Sequence, residues 1–420
     1  MSDSIDPEFA VVYSDELTVK EPLKTHTFAA IFIVLNAALG AAMLNFPKAF
    51  QLAGGLLPAI CIELAIVFIV FGSLVILGIC SDLRGAKVYQ DVVRTMCGNA
   101  IAFTTEVIIV IYSFATCVTY LIIAADQGKS MTHLILGEAF EKNPLLWRRL
   151  VTAALGIFIV LPMCISRNIS YLSIPGMLSF LGNTYVVIIV IIRYFYKGHE
   201  EVPIPEHQDV TIYQLLNVIP TISFGYQCHV SAIPVYSSMK NRNMYHWALV
   251  SAIAVFLCFS VYTSIGIFGY LSFFETVQSD ILVTYPDDDI LITIARTMVM
   301  FSVMASYPVI HFCGRAALFS VMVNFFEKYS PTNALCYYST TILWFATTLG
   351  LALFVDRLEP VIKPIGSFAA LFVFGYPGLC LLMYALNHGG GKSYLLAILS
   401  VFYIGFGVFC FGNGIASEFL

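Results

Sequence analysis

Two stretches of this chain set polar and helix-breaking residues inside otherwise apolar sequence, and both could do chemistry. In the first, Asn36-Ala37-Ala38-Leu39-Gly40-Ala41-Ala42-Met43-Leu44-Asn45-Phe46-Pro47 lies within an apolar run from Thr27 to Phe50. A helix opened near Gly40 exposes carbonyls at the end of its first half and N–H groups at the start of its second. The carbonyls suit a cation or an ammonium group, and the N–H groups suit a carboxylate. The same residues also read as packing, because glycine and alanine let helices approach closely within a membrane. The second stretch runs from Asn217 through Pro220, Phe224-Gly225-Tyr226-Gln227-Cys228-His229 and on to Pro234. A pair of interrupted apolar segments at corresponding positions of two halves points to a ligand held between them at mid-membrane, and this favours binding at Gly40 over packing.

Other candidate groups are dispersed. Tyr112 and Thr116 stand one helical turn apart and so share a face. Glu63, Glu106, His229, Arg296 and His311 are ionisable residues in apolar sequence, where each costs about 2.5–3.5 kcal/mol on insertion scales and needs a partner or a wet cavity. His229, beside the second interruption, is the candidate for pH sensing, against the alternative of a neutral histidine bonded within the bundle. Glu106 and Arg296 could pair, or could each lie near the end of a span.

The elements that must position these groups are membrane helices. The 420 residues are 59% hydrophobic and 11% charged, with a mean hydropathy of +0.86, which is too apolar for an ordinary soluble domain. Eleven apolar runs are predicted to span the membrane, at 27–50, 55–80, 99–126, 149–166, 170–196, 212–236, 245–274, 290–326, 335–355, 360–386 and 393–415. The eighth is too long for one simple crossing and is expected to emerge or bend beyond Arg315. Loops at 81–98, 127–148, 197–211 and 275–289 carry most of the charge. Residues 1–26 form an acidic flexible tail, with six acids against Lys20 and Lys24, and do not resemble a signal peptide. The net charge of -5 comes without any basic cluster, which argues against nucleic acid as a partner. The eleven cysteines form no C-x-x-C pair, so neither a zinc site nor a disulfide framework is expected. Lys and Arg divide almost evenly between the two faces and do not orient the chain.

From Phe28 onward the chain resembles the amino acid/auxin permease family, in particular its sodium-coupled neutral amino acid transporters and the branch of members seven and eight. The residues that carry the likeness are Asn36-Ala37, Gly40, Leu44-Asn45-Phe46-Pro47 with Ala53-Gly54-Gly55, and Phe224 to His229. They continue in Ser306-Tyr307-Pro308, His311-Phe312-Cys313-Gly314-Arg315, and Phe374 to Cys380. The resemblance implies an all-α polytopic membrane protein of eleven transmembrane helices, with a LeuT-like five-plus-five inverted repeat in which helices one and six are broken. The first repeat would be 27–196, the second 212–386, and 393–415 an extra helix, with the amino terminus cytoplasmic. It also implies secondary transport of small neutral amino acids, glutamine and asparagine prominently, coupled to sodium and in some members to proton movement, with sodium as the coupling ion here and no organic cofactor. A lysosomal membrane is implied by the branch, with the plasma membrane as the alternative. Protein partners are not indicated.

Residue by residue, the resemblance makes Asn36 a sodium ligand, joined by the hydroxyl of Ser306 and a carbonyl near Leu39. The substrate carboxylate is expected on the N–H groups of Gly40, Ala41 and Ala42, and its ammonium on carbonyls near Phe224 and Gly225. Tyr112 and Thr116 would line the pocket. Two departures stand out. Ala42 replaces a second glycine frequent in the family, and the loops at 127–148, 197–211 and 275–289 contain no cysteine for the disulfide many relatives carry. The sequon Asn168-Ile169-Ser170 falls on the cytoplasmic side of the implied topology, as an unused site, and the dileucine-like run from Glu141 to Leu146 falls on the wrong face for sorting. The rival to a transporter is an amino-acid sensor of the same fold that transports slowly. Nothing in the sequence suggests an enzyme.

Overall fold

A computed structural model describes residues 24–40, 42–137, 141–167, 169–196, 211–286, 289–325, 333–355, 366–387 and 393–416. Every regular element among them is helical. The first apolar run is divided into α1 (Thr27–Leu39), a tight turn over Ala42–Asn45 and α2 (Phe46–Leu52), with a bend of 47° between the arms. Gly40 makes the break, with φ 22° and ψ −142°, a backbone shape that any Cβ opposes. Pro47 then suits the first turn of α2, where its missing N–H would have had no helical partner.

The chain continues as α3 (Leu56–Arg84), closed by Gly85 in the left-handed conformation, then α4 (Tyr89–Cys97) and α5 (Asn99–Leu136). Next come α6 (Pro144–Cys164) and α7 (Ser173–Tyr196). The second interruption separates α8 (Ile212–Gly225) from α9 (His229–Ser238). Then follow α10 (Met244–Phe273), α11 (Ile290–Phe325), α12 (Ala334–Phe354), α13 (Gly366–Asn387) and α14 (Ser393–Ala416).

Among the described residues, eight helices are long and apolar enough to cross a membrane, and nine when the bent pair α1–α2 counts as one span. These nine coincide with nine of the eleven runs expected from sequence. The other two runs are present as helix, the broken pair α8–α9 and the 21-residue α12. Two sequence expectations need correction, and a third is decided between its alternatives. The 81–98 loop is largely helical, because α3 runs on to Arg84 and α4 occupies Tyr89–Cys97, where the apolar residues Val92, Val93 and Met96 turn inward. The 127–148 loop is shortened by α5, which runs on to Leu136. The eighth run, expected to emerge or bend beyond Arg315, does not bend: α11 is one helix whose 36 residues extend about 54 Å at 1.5 Å each, longer than the ~30 Å of hydrocarbon, which agrees with the first alternative.

In lipid, helices associate by close packing more than by apolar attraction, and small residues set the approach. The rings of Phe50 and Pro47 on α2 lie where Cβ atoms on Gly266 and Gly269 of α10 would fall, at 2.8 and 2.5 Å. On the other side of α1, Gly176 of α7 lets the helices meet so closely that a Cβ there would lie 2.8 Å from the Phe32 carbonyl. α11 runs along both α5 and α7, and α3 runs along α10, where Trp247 donates its indole N–H to the Leu74 carbonyl at 2.9 Å. The short broken elements are thus gripped from both sides by long continuous ones.

Candidate functional site

An α-helix leaves its last four carbonyls without helical donors, and for α1 these belong to Asn36, Ala37, Ala38 and Leu39. Two of the four find partners on other helices. Ser306 of α11 places its Oγ 3.1 Å from the Asn36 carbonyl oxygen, and Tyr262 of α10 donates its hydroxyl to the Ala38 carbonyl at 2.8 Å. All the side chains concerned are buried.

Asn36 and Ser306, 270 residues apart in sequence, meet directly. Ser306 Oγ lies 3.1 Å from Asn36 Oδ1 and 3.0 Å from the Ser302 carbonyl, while Asn36 Nδ2 donates to the Ala305 carbonyl at 3.2 Å. With the amide nitrogen turned away, three oxygens lie within 3.1 Å of the Ser306 hydroxyl: two from Asn36 and the Ser302 carbonyl. Neutral oxygens of this kind suit a small hard cation. Ser302 Oγ also lies 2.6 Å from Ser179 Oγ of α7, which extends the hydroxyl cluster to a third helix.

Tyr262 joins the two interruptions. Its Oη lies 2.8 Å from the Ala38 carbonyl and 2.7 Å from the Gly225 carbonyl, the ends of α1 and α8. One phenolic proton can serve only one of these oxygens at a time. The other keeps a lone pair free, and an ammonium group with three donors could satisfy both. Phe46 stacks on the Tyr262 ring with centroids 4.0 Å apart, and a Cβ on Gly225 would meet Phe46 at 2.8 Å. Across the first break, a Cβ on Gly40 would lie 3.1 Å from Tyr120 Oη.

The remaining expected site residues fall into place as follows. Leu39 is the buried last residue of α1, and Ala42 opens the turn after the break; Ala41 lies outside the described residues. Phe224 precedes Gly225 at the end of α8 and faces Gly366. Tyr112 donates to Gln227 Oε1 at 2.9 Å and so touches the second interruption, whereas Thr116 spends its hydroxyl on the Tyr112 carbonyl of its own helix. His229 begins α9, wholly buried, with Nε2 2.6 Å from Ser73 Oγ. Glu106 pairs with Arg94 and accepts from Ser320 at 2.6 Å, while Arg296 donates to the carbonyls of Leu282 and Tyr285 at 2.9 and 3.3 Å. Asn168 lies outside the described residues.

Four residues at the site escaped the sequence reading. Tyr120 carried a signal, since it continues the 112–116 spacing by one more turn. Ser302 likewise precedes Ser306 by one turn. Tyr262 and Ser179 had none, each being one polar tip in an apolar helix.

Residues 24–419 match the family of transmembrane amino acid transporter proteins. The sodium-coupled neutral amino acid transporter 7 of Danio rerio is 37% identical over 400 residues, covering 93% of this chain and 86% of that protein. Its Homo sapiens counterpart is 36% identical over 404 residues, covering 94% and 87%. Solute carrier family 38 member 8 of Homo sapiens is 32% identical over 409 residues, covering 93% of each.

Proposed function

The chain belongs to the transmembrane amino acid transporter family and to its sodium-coupled neutral amino acid transporter branch, and from that premise we propose that it moves neutral L-amino acids, glutamine and asparagine foremost, together with sodium. The observation that carries this reading is the meeting of both helix interruptions at Tyr262, where two backbone carbonyls share one proton. An amino acid fits there with its ammonium toward the carbonyls of Ala38 and Gly225. Its carboxylate faces the N–H groups that follow Gly40, at the positive end of the second arm. A neutral side chain then needs no ionic partner. Sodium is cargo in this scheme, held by the oxygens of Asn36 and Ser306 with a carbonyl from the end of α1, of which Leu39 is the last residue.

Eleven spans in two inverted repeats, 27–196 and 212–386, with 393–415 as an extra helix, would make the pair of breaks a shared hinge. Rocking of one bundle against the other would open the site to each side in turn. Residence in the lysosomal membrane is part of the proposal and rests on the branch.

The test is radiolabelled glutamine flux into proteoliposomes holding the purified protein, with sodium and pH gradients imposed separately. Flux accelerated by a sodium gradient is expected. Asn36→Ala should cut that acceleration about tenfold, equivalent to about 1.4 kcal/mol of lost ion binding. Equal acceleration in the variant would remove Asn36 from the ion site, and tight glutamine binding without flux in the wild type would replace the transporter by a sensor.

A further inference from the structure

One buried acid plays no part in the site described so far. Glu63, on α3, is wholly enclosed; Tyr226 donates to its Oε1 at 2.6 Å and Thr263 to its Oε2 at 2.9 Å. Among the described residues, no Lys, Arg or His forms an ion pair with it. The titratable groups that face it are Tyr226 from the second interruption, and Cys258 and Tyr262 from α10. None of these can supply a positive charge. His229, on α9, is engaged instead with Ser73, ten residues further along α3, at 2.6 Å.

A bare carboxylate in such surroundings is costly, so a proton is the cheapest counter-charge available to it. The two partners are hydroxyls, and a hydroxyl can either donate or accept. They can therefore serve the ionised acid by donating and the protonated acid by accepting its hydrogen. A site lined by a fixed cation could not do both.

The proton would be felt at both breaks. Tyr226 directly follows Gly225, and its ring packs edge-on against Tyr262 at 5.2 Å and Phe46 at 6.4 Å. We propose that Glu63 is a proton-binding site of the transport cycle, read by the broken helices through Tyr226. A proton from water on one side of the membrane adds to a carboxylate oxygen, and no other covalent bond changes. It returns to water on the other side once the helices have rearranged and the Tyr226 contact has loosened.

This inference rests on the transport reading, and two measurements keep them apart. The first is infrared difference spectroscopy of the purified protein during acidification, following the carbonyl stretch of a protonated carboxylic acid. A band should grow on acidification in the wild type and be missing in Glu63→Gln. The second is the ratio of glutamine flux with and without an inward proton gradient, which should be at least about fivefold in the wild type, a preference of about 1 kcal/mol, and fall to one in Glu63→Gln. A wild type with no such band, a band kept in the variant, or a gradient response kept in the variant overturns the proposal. Absence of flux in the wild type under every gradient defeats the transport reading, and the band then decides Glu63 by itself. Should Glu63→Gln fail to fold, Tyr226→Phe takes its place. Loss of one donor to the ionised form should tighten proton binding about tenfold, and an unmoved midpoint overturns the proposal.

Discussion

The two interruptions solve the same problem in opposite ways. At the second, the chain largely satisfies itself: the N–H of Tyr226 bonds the Ser223 carbonyl at 3.2 Å and that of Gln227 bonds the Phe224 carbonyl at 3.1 Å. The Gly225 carbonyl takes its donor from a neighbour, Tyr262, and no residue there has a positive φ. At the first, Gly40 breaks the helix abruptly, and the freed carbonyls of Asn36 and Ala38 depend on side chains from α11 and α10. The side chains differ as well. Gly40 and Ala42 offer little but backbone, whereas Tyr226 and Gln227 reach out to Glu63 and Tyr112. On the proposed reading, the first break presents main chain to a ligand, and the second ties the ligand's surroundings to the scaffold.

The largest expected effect tests that division. Gly40→Val should lower glutamine affinity about 100-fold, since strain at such a backbone shape is worth roughly 1–3 kcal/mol and the new side chain also meets Tyr120. Because the obstacle is mainly the backbone, adding Tyr120→Phe should not restore binding. At Gly225 the obstacle is the ring of Phe46, so Gly225→Ala should regain most of its lost thermal stability when Phe46→Leu is added. Rescue at Gly40, or no rescue at Gly225, would break the contrast.

A smaller effect should follow from Tyr262→Phe. Removing the hydroxyl takes away the donor that the carbonyls of Ala38 and Gly225 share among the described residues, which should lower the melting temperature of the ligand-free protein. It also removes the competitor for a substrate ammonium. Glutamine affinity, measured by equilibrium binding, should rise about fivefold, corresponding to about 1 kcal/mol, a typical net value for one hydrogen bond. Weaker binding would instead make Tyr262 part of the substrate's own cradle.

Much of this was legible in the sequence because lipid simplifies the problem. A segment that must satisfy its own backbone in hydrocarbon shows its interruptions openly, so Gly40 and Gly225 stood out, as did most of the spans. The meeting of Asn36 with Ser306 came from family likeness, and their 270-residue separation left no local trace. The helix α4 was hidden because a charged loop and an amphipathic helix look alike over nine residues. Tyr262 and Glu63 were the hardest. In an apolar helix, a residue's rotation toward lipid or toward the core decides its role, and that rotation is set by neighbours far along the chain. Apolar sequence on all faces gives no period from which to read it.

The smallest expected effect concerns what lies over the first break. The turn Ile281–Thr284 packs against the turn Ala42–Asn45, and Gln51 of α2 donates to the Glu275 carbonyl at 3.1 Å. This covering segment is pinned by Asp280, which accepts from the Leu282 N–H at 2.9 Å and from the side chain of Gln127 on α5. Burial pushes the Asp280 carboxyl up from 3.8 to about 6, against the pull of those donors and of Arg296. Between these two values the folded chain binds more protons than the unfolded one, so stability falls as pH rises through the interval and is recovered on acidification. Asp280→Asn abolishes the titration but keeps an acceptor for Leu282. At neutral pH the variant should therefore melt on the order of 2 °C above the wild type, and the gap should close as pH falls below about 6. A gap that ignores pH would detach Asp280 from the cover. Closure would mean that acid tightens the segment over the first break.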